Sequence, residues 1–427
     1  MSSQRVVVTG LGAITPIGNT KETYWQQLLA GVSGIRRIQF PNLNMDQYRT
    51  RIAASVQDFE VSDYLPADKK NKYHGRATLF ALAAARMALE DAGFELCADQ
   101  GGFRLSGIDP YRVGVILGAA AGNMAILERE FGRSGNQNGF KRFSPHALPN
   151  HLMSAVPGSV AIMFNCRGIT YVISTSCTSA SQAIGNAYRQ LQNGEEDIIL
   201  TGGADSGINP TIFSGFTALK AMSTQNDAPE SACRPFDRDR DGFVMGEGAG
   251  IIVLEKLEHA QVRQAPIYGE VTGYGSTTDA HHLTVPDPDG RALTRAIRMA
   301  LAETHQDGAA IHYINAHGTA TRLNDVVETR ALKQAFGKQV YQIPVSSTKS
   351  MTGHLLGAAG GIEFIATVLS MHHGMIPPTI NHERPDPECD LDYVPNQMRE
   401  ACIQSAISTS LGFGGFNSAL VVSRYEH

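Results

Sequence analysis

The sequence predicts an α/β protein made of two duplicated βαβ-rich halves. Three observations carry that expectation. Apolar, β-branched runs stop repeatedly on glycine, helical patterns follow them, and the series recurs weakly on either side of residue 260. The expected division is therefore 1–260 and 261–427.

The elements follow in order. Val7-Val-Thr-Gly-Leu-Gly12 is echoed by Glu270-Val-Thr-Gly-Tyr-Gly275, each the expected first strand of its half. Gly75-Arg-Ala77 opens a helical pattern reaching Arg86-Met-Ala-Leu-Glu90, and Gly290-Arg-Ala292 opens one reaching Arg298-Met-Ala-Leu301. Arg112-Val-Gly-Val-Ile-Leu-Gly118 and Ile311-His-Tyr-Ile-Asn-Ala-His-Gly318 read as buried strands. Ile169-Thr-Tyr-Val-Ile-Ser174 precedes a helix from Cys177 to Leu191, and Ile343-Pro-Val-Ser-Ser347 precedes one from Gly357 to His372. The fourth pair begins at Ile198 and Ala406 and ends at Asp205 and Gly415. Such alternation implies mostly parallel sheets covered on both faces, with active groups at the carboxyl ends of the strands. Residues 20–70 and 119–160 fall outside the repetition and read as insertions that build substrate and partner surfaces.

The chain has 427 residues, 43 glycines, 42% hydrophobic and 18% charged residues, the composition of a turn-rich globular protein with a large core. Its formal net charge of −5 argues against nucleic-acid binding, which needs a concentrated basic face. No apolar run reaches the roughly 20 residues that span a bilayer, and no signal-peptide pattern opens the chain, so it is expected in the cytoplasm. Six scattered cysteines, without a C-x-x-C pair, argue against disulfides.

Cys177 differs from the other five. It lies where a β-branched run ends and a helix begins, so a helix N-terminus would stabilise its thiolate. His317 in Asn315-Ala-His-Gly-Thr319 and His354 in Lys349-Ser-Met-Thr-Gly-His354 sit in the same punctuation, a strand-like run followed by a glycine-bearing turn. One cysteine–histidine–histidine site is expected. The neighbouring pairs His281-His282 and His372-His373 do not share a helix face and lack acidic ligands, so no metal is assigned. Asp237-Arg-Asp-Arg-Asp241 reads as a salt-bridged turn, and Gly357-Ala-Ala-Gly-Gly361 as close packing at a helix start; neither is a nucleotide site.

Five motifs then give a resemblance. Ser174-Thr-Ser-Cys-Thr-Ser179, the run from Arg234-Pro-Phe-Asp237 to Gly246-Glu-Gly-Ala-Gly250, Asn315-Ala-His-Gly-Thr319, Ser346-Ser-Thr-Lys-Ser-Met-Thr-Gly-His354 and Gly412-Phe-Gly-Gly415 resemble the elongating β-ketoacyl-acyl-carrier-protein synthases over nearly the whole chain. The resemblance implies a thiolase-like fold with a layered α-β-α-β-α core. It implies that Cys177 accepts the acyl group, that His317 and His354 bind the malonyl thioester carbonyl, and that Lys349 supports them, paired with Glu328. Phe413 would gate the acyl pocket and share an oxyanion hole with Cys177, while Ala121, Phe216, Thr319, Thr321 and Phe416 would line the substrate path. The chemistry fits these residue types. A thiolate is both nucleophile and leaving group, two neutral imidazoles can donate to an enolate oxygen, and loss of CO₂ supplies the carbanion without metal or strong base.

No tightly bound cofactor is expected, since phosphopantetheine would arrive on an acyl carrier protein. Lys69, Lys70, Lys72 and Arg76, with Arg129, Arg133, Lys141 and Arg142, form two basic patches suited to that acidic partner. Dimers are implied, either of this chain or with a chain-length-factor paralogue. Phe416, Asp205, Ile208-Asn-Pro210 and the small Ala121 lean toward type II polyketide ketosynthases. The glycines of Asp241–Gly248 and Ser347-Thr-Lys349 lean toward fatty-acid enzymes, and the two readings stay level. A noncatalytic chain-length partner or another thiolase-superfamily acyltransferase is the alternative; the retained Cys177 opposes the first and His354 the second.

Overall fold

The β-branched runs form one ten-stranded sheet in this computed structural model, which describes residues 4–40, 43–67, 69–99, 101–138, 143–304 and 311–426. The side chains of Lys69 and Lys70 lie outside the described set, as do Lys141 and Arg142 entirely. The strands are β1 (Val6–Ile14), β2 (Val113–Gly118), β3 (Thr170–Ile173), β4 (Ile198–Ser206), β5 (Glu247–Lys256), β6 (Gly269–Thr278), β7 (Tyr313–Asn315), β8 (Val345–Ser346), β9 (Ser405–Gly412) and β10 (Phe416–Ser423). Their order is β8-β7-β9-β10-β6-β1-β5-β4-β2-β3. Read outward from the centre, the second half repeats the strand order of the first.

The expectation of mostly parallel sheets needs correction. β2 runs parallel to β3 and β4, and β7 to β8 and β9, but every other pairing is antiparallel. The cause is a fifth strand in each half, β5 and β10, which the repeat did not anticipate. β10 follows β9 through a turn of three residues, and so short a link allows only an antiparallel return. The halves meet at a narrow seam, where Val6, Val7 and Val8 of β1 face Val271, Glu270 and Gly269 of β6.

Five helices cover these strands: α1 (Arg76–Asp91), α2 (Ser179–Gln192), α3 (Arg291–Glu303), α4 (Arg322–Phe336) and α5 (Ala359–His373). Successive residues of a strand point to opposite faces, so β2 sends Val113, Val115 and Leu117 toward α1 and Ile116 toward the molecular centre. There Ile184 and Leu191 of α2 and Ile362 and Leu369 of α5 pack with Ile252 and Leu254 of β5 and with Val271, Leu420 and Val422 of the second half. On the far side Leu293, Ile297 and Leu332 of α3 and α4 cover Ile314, Ile407 and Val421. The result is the layered α-β-α-β-α arrangement of a thiolase-like fold.

Contact between α2 and α5 depends on glycine. A Cβ at Gly360 would lie 2.0 Å from Ser181 Oγ, and one at Gly361 would lie 2.6 Å from the Gly250 carbonyl. The glycine run 357–361 is thus a packing device, as its sequence indicates.

Candidate active site

Cys177 follows β3 on a single 3-10 turn, Ser176–Thr178, that leads into α2. The hydroxyls of the surrounding motif close this turn. Thr178 Oγ1 donates to the Thr175 carbonyl at 2.7 Å, Ser179 Oγ donates to Ser176 O at 2.6 Å, and Thr175 N–H donates to Ser179 Oγ at 2.9 Å. Ser176 takes a φ of +53°, a strained left-handed value that such bonds must sustain. Burial pushes the Cys177 thiol up to about 12, while the Lys349 ammonium and the Phe413 backbone N–H pull it down. Desolvation thus outweighs the stabilisation that the helix terminus offers the thiolate.

His317 follows β7. Its own N–H and that of Gly318 each donate to a carboxylate oxygen of buried Glu328 at 2.8 Å, and Thr409 Oγ1 adds a third bond at 2.7 Å. Gly318 is required here: its φ is +38°, and a Cβ would meet Ser347 Cβ at 2.5 Å. Lys349, buried on the short helix Lys349–Thr352, places Nζ 3.1 Å from His317 Nδ1 and donates to the His317 carbonyl at 2.5 Å. Its carboxylate partner is Glu363 of α5, not Glu328 as expected. Glu328 is already committed to the backbone of 317–318. Glu363 escaped the sequence reading, although a lone acid in the apolar face of α5 was the available signal.

The ammonium donating to Nδ1 leaves the His317 proton on Nε2. Burial lowers His317 well below an ordinary histidine, with Lys349 and His354 adding to the shift; burial and Lys349 do the same to His354. Both rings are neutral at neutral pH. Their centroids lie 5.3 Å apart with planes nearly perpendicular.

His354 is anchored by a segment whose purpose the sequence did not reveal. His354 N–H donates to Val244 O at 2.7 Å, and Gly246 N–H donates to His354 O at 2.8 Å. Within the acidic–basic turn before it, Arg240 donates to the Thr321 carbonyl at 3.2 Å and pairs with Asp325 at 3.5 Å and Asp386 at 2.6 Å. The expected salt-bridged turn therefore also holds the loop that carries Thr319 and Thr321.

One cleft of about 370 Å³ brings most of these groups together. Cys177, His317, His354, Phe413, Phe216, Thr319, Thr321 and Phe416 all line it. Lys349 and Glu328 stand behind the wall, and Ala121 is not among the lining residues. The Phe413 N–H points at the Cys177 sulfur, and the Phe413 ring lies 6.2 Å from Phe216. Gly412 lets this turn approach, since a Cβ there would sit 3.2 Å from Cys177 N. The Phe413 N–H at the thiol and the two imidazoles thus face one cleft, an arrangement able to stabilise developing oxyanions.

The residues expected to dock a carrier are less uniform than the sequence indicates. Lys72 lies 5.0 Å from the Tyr73 ring, which stacks at 3.9 Å on His146, so the two basic segments adjoin. Arg129 and Arg133 reach solvent beside the buried Glu130 carboxylate. Arg76 instead bonds Glu247 at 2.9 Å and the Val56 carbonyl at 2.8 Å, leaving only part of its side chain exposed. His282 accepts N–H bonds from Thr284 and Val285 and lines the cleft, and His373 stacks on Trp25.

Known proteins share this arrangement. Residues 3–260 match the family model for the β-ketoacyl synthase N-terminal domain, and residues 268–383 match that for the C-terminal domain. The chain is 46% identical to 3-oxoacyl-[acyl-carrier-protein] synthase 2 of Synechocystis over 100% of this chain and 99% of the relative, and 41% identical to the synthase 2 of Coxiella burnetii over 99% of each. A β-ketoacyl synthase from Burkholderia phymatum superposes with a TM-score of 0.89 at 35% identity, covering 99% of this chain and 100% of that one. A type II polyketide ketosynthase, solved with its acyl carrier protein and bound to a hexaketide, gives 0.88 at 34% with the same coverage. With its cysteine and two neutral histidines facing one cleft, the chain belongs to the β-ketoacyl synthase family.

Proposed function

We propose that this protein is a β-ketoacyl-acyl-carrier-protein synthase, joining an acyl chain held on Cys177 to malonyl carrier with loss of CO₂. The observation that carries the reading is the tautomer-fixed, neutral His317 beside neutral His354 in the cleft that ends at Cys177. Cys177 sulfur attacks the incoming thioester carbonyl, and the carrier's pantetheine thiol leaves with the proton that the cysteine gives up. The emptied carrier is replaced by malonyl carrier. Cleavage of its carboxylate carbon releases CO₂, and the electron pair forms an enolate whose oxygen accepts from Nε2–H of both histidines. The enolate carbon bonds to the Cys177-bound carbonyl, whose oxygen accepts from the N–H groups of Cys177 and Phe413. Collapse expels the Cys177 thiolate, which takes up a proton from solvent to restore the thiol, and frees a β-ketoacyl carrier. No residue must act as a strong base.

The reaction is the same in fatty-acid and type II polyketide synthesis. Full-length identity to synthase 2 proteins supports a self-sufficient fatty-acid enzyme. Phe416, a second phenylalanine lining the cleft beside Phe413, supports the polyketide reading. Acyl carrier protein is the proposed partner at Lys69, Lys70, Lys72, Arg129 and Arg133, in a cytoplasmic setting. Intact-mass analysis of carrier after mixing the chain alone with malonyl and acyl carriers tests both points. A two-carbon β-keto extension, lost in Cys177→Ala, supports the synthase and a self-sufficient enzyme; acylation of Cys177 with extension only after a paralogous subunit is added selects the polyketide reading. Extension by Cys177→Ala refutes the mechanism.

A further inference from the structure

Asp205 ends β4 fully buried, at a point where pieces of both halves converge. Its carboxylate accepts from five backbone N–H groups. Oδ1 takes those of Ala121 at 3.0 Å, Gly122 at 2.7 Å and Ser206 at 3.2 Å; Oδ2 takes those of Ala120 at 3.0 Å, Ala121 at 3.1 Å and Gly357 at 2.8 Å. Every group aimed at it is a donor, so only an acceptor on both oxygens fits, which a carboxylate is and an amide is not.

The donors lie behind the cleft, next to the turn that carries the nucleophile and to the cleft residue Leu356. Residues 119–122 leave β2 beside the Cys177 turn: Ala119 N–H donates to Ile173 O, the last residue of β3, at 3.1 Å. Gly357 belongs to the turn that opens α5 and follows Leu356, a residue lining the cleft. Clearances are minimal, since a Cβ at Gly357 would lie 2.4 Å from Ala120 N and 2.8 Å from Asp205 Oδ2, and a Cβ at Gly118 would lie 2.3 Å from Ala180 N. One carboxylate therefore fixes the spacing between a first-half loop and a second-half turn, and that loop leaves β2 where Gly118 packs against the start of the nucleophile helix.

We infer that Asp205 is a positioning residue that sets how much room an acyl chain has beside Cys177, through the 120–122 loop and the Gly357 turn. The inference rests on the synthase reading for its substrate and on the carboxylate geometry for its mechanism. Asp205→Glu keeps the charge and both acceptors while moving the carboxylate by one methylene, which displaces the loop toward the thiol. A role in general stability lowers turnover with every primer alike, whereas a role in spacing changes the ratio between primers.

The test has two parts. Amide hydrogen exchange on the unmodified protein reads the clamp without reference to activity. The Ala120, Ala121, Gly122 and Gly357 amides, though in loops, are expected to exchange at least about a hundredfold more slowly than solvent-facing loop amides such as Gly107. Acyl-carrier primers of two to twelve carbons are then compared in wild type and Asp205→Glu. The ratio of kcat/KM for the longest to the shortest primer is expected to fall about tenfold or more in the variant. Fast exchange at the four amides overturns the clamp, and an unchanged ratio in a folded variant overturns the role in spacing. Wild type that condenses no primer refutes the synthase reading instead, while the exchange result still judges the clamp.

Discussion

Lys349 gives one ammonium to the Nδ1 and the carbonyl of His317 and to the Glu363 carboxylate, so charge neutrality and ring orientation depend on the same side chain. Removing one member of a buried pair leaves the other uncompensated. Lys349→Met is expected to cost about 3–5 kcal/mol in denaturant unfolding, with much of the loss recovered when Glu363→Gln is added. Condensation falls about a hundredfold in both variants, because the Nδ1 donor is absent from each. The histidines make a second claim. Their folded pKa values lie well below 6.5, so the folded state resists protons that the unfolded chain accepts. Their contribution to stability is present above pH 6.5 and is lost as pH falls below it. Stability is therefore expected to be lower at pH 5.5 than at pH 7.5, and His354→Gln should reduce that difference in unfolding curves at the two pH values.

At the scale of elements, the glycines between α2 and α5 set the distance between two helices shared by both halves. Gly360→Val, with its first carbon already against Ser181, is expected to destabilise the protein by about 3 kcal/mol or more, measured as a lower unfolding midpoint. The same elements explain what the sequence discloses. The helix starts after Gly75 and Gly290 were legible because glycine interrupts one period and begins another, and observed helices start at Arg76 and Arg291. β5 was not, because Glu247–Lys256 is buried at every position and its motif glycines conceal the absence of alternation. That Cys177, His317 and His354 share one cleft was legible in their turns. The partner of Lys349 was not, since Glu328 and Glu363 are both buried acids and only the packed structure decides which reaches the ammonium.

At the scale of the whole molecule, β3 forms the outer edge of the sheet, paired with β2 alone among the described strands. Ile162 is 84% exposed and Leu148 60% exposed, both in the segment that precedes that edge. An unpaired edge with apolar neighbours favours a partner chain. Analytical ultracentrifugation is expected to show a two-chain species, and a monomer at micromolar concentration refutes this. Carrier docking belongs to the same scale. Charge reversal of Lys72 and Arg129 together should raise KM for malonyl carrier about tenfold at low salt with kcat nearly unchanged, and the difference should shrink as ionic strength rises.

The narrow β1–β6 seam and the shared central helices also bear on how the protein is made. Cys177 leaves the ribosome roughly ten to thirty-five seconds before His354 at ordinary elongation rates. Through that interval the inward side of α2 waits for α5, which is not yet synthesised. A chain cut short before residue 317 carries Cys177 without either histidine donor that would let it form a carbon–carbon bond.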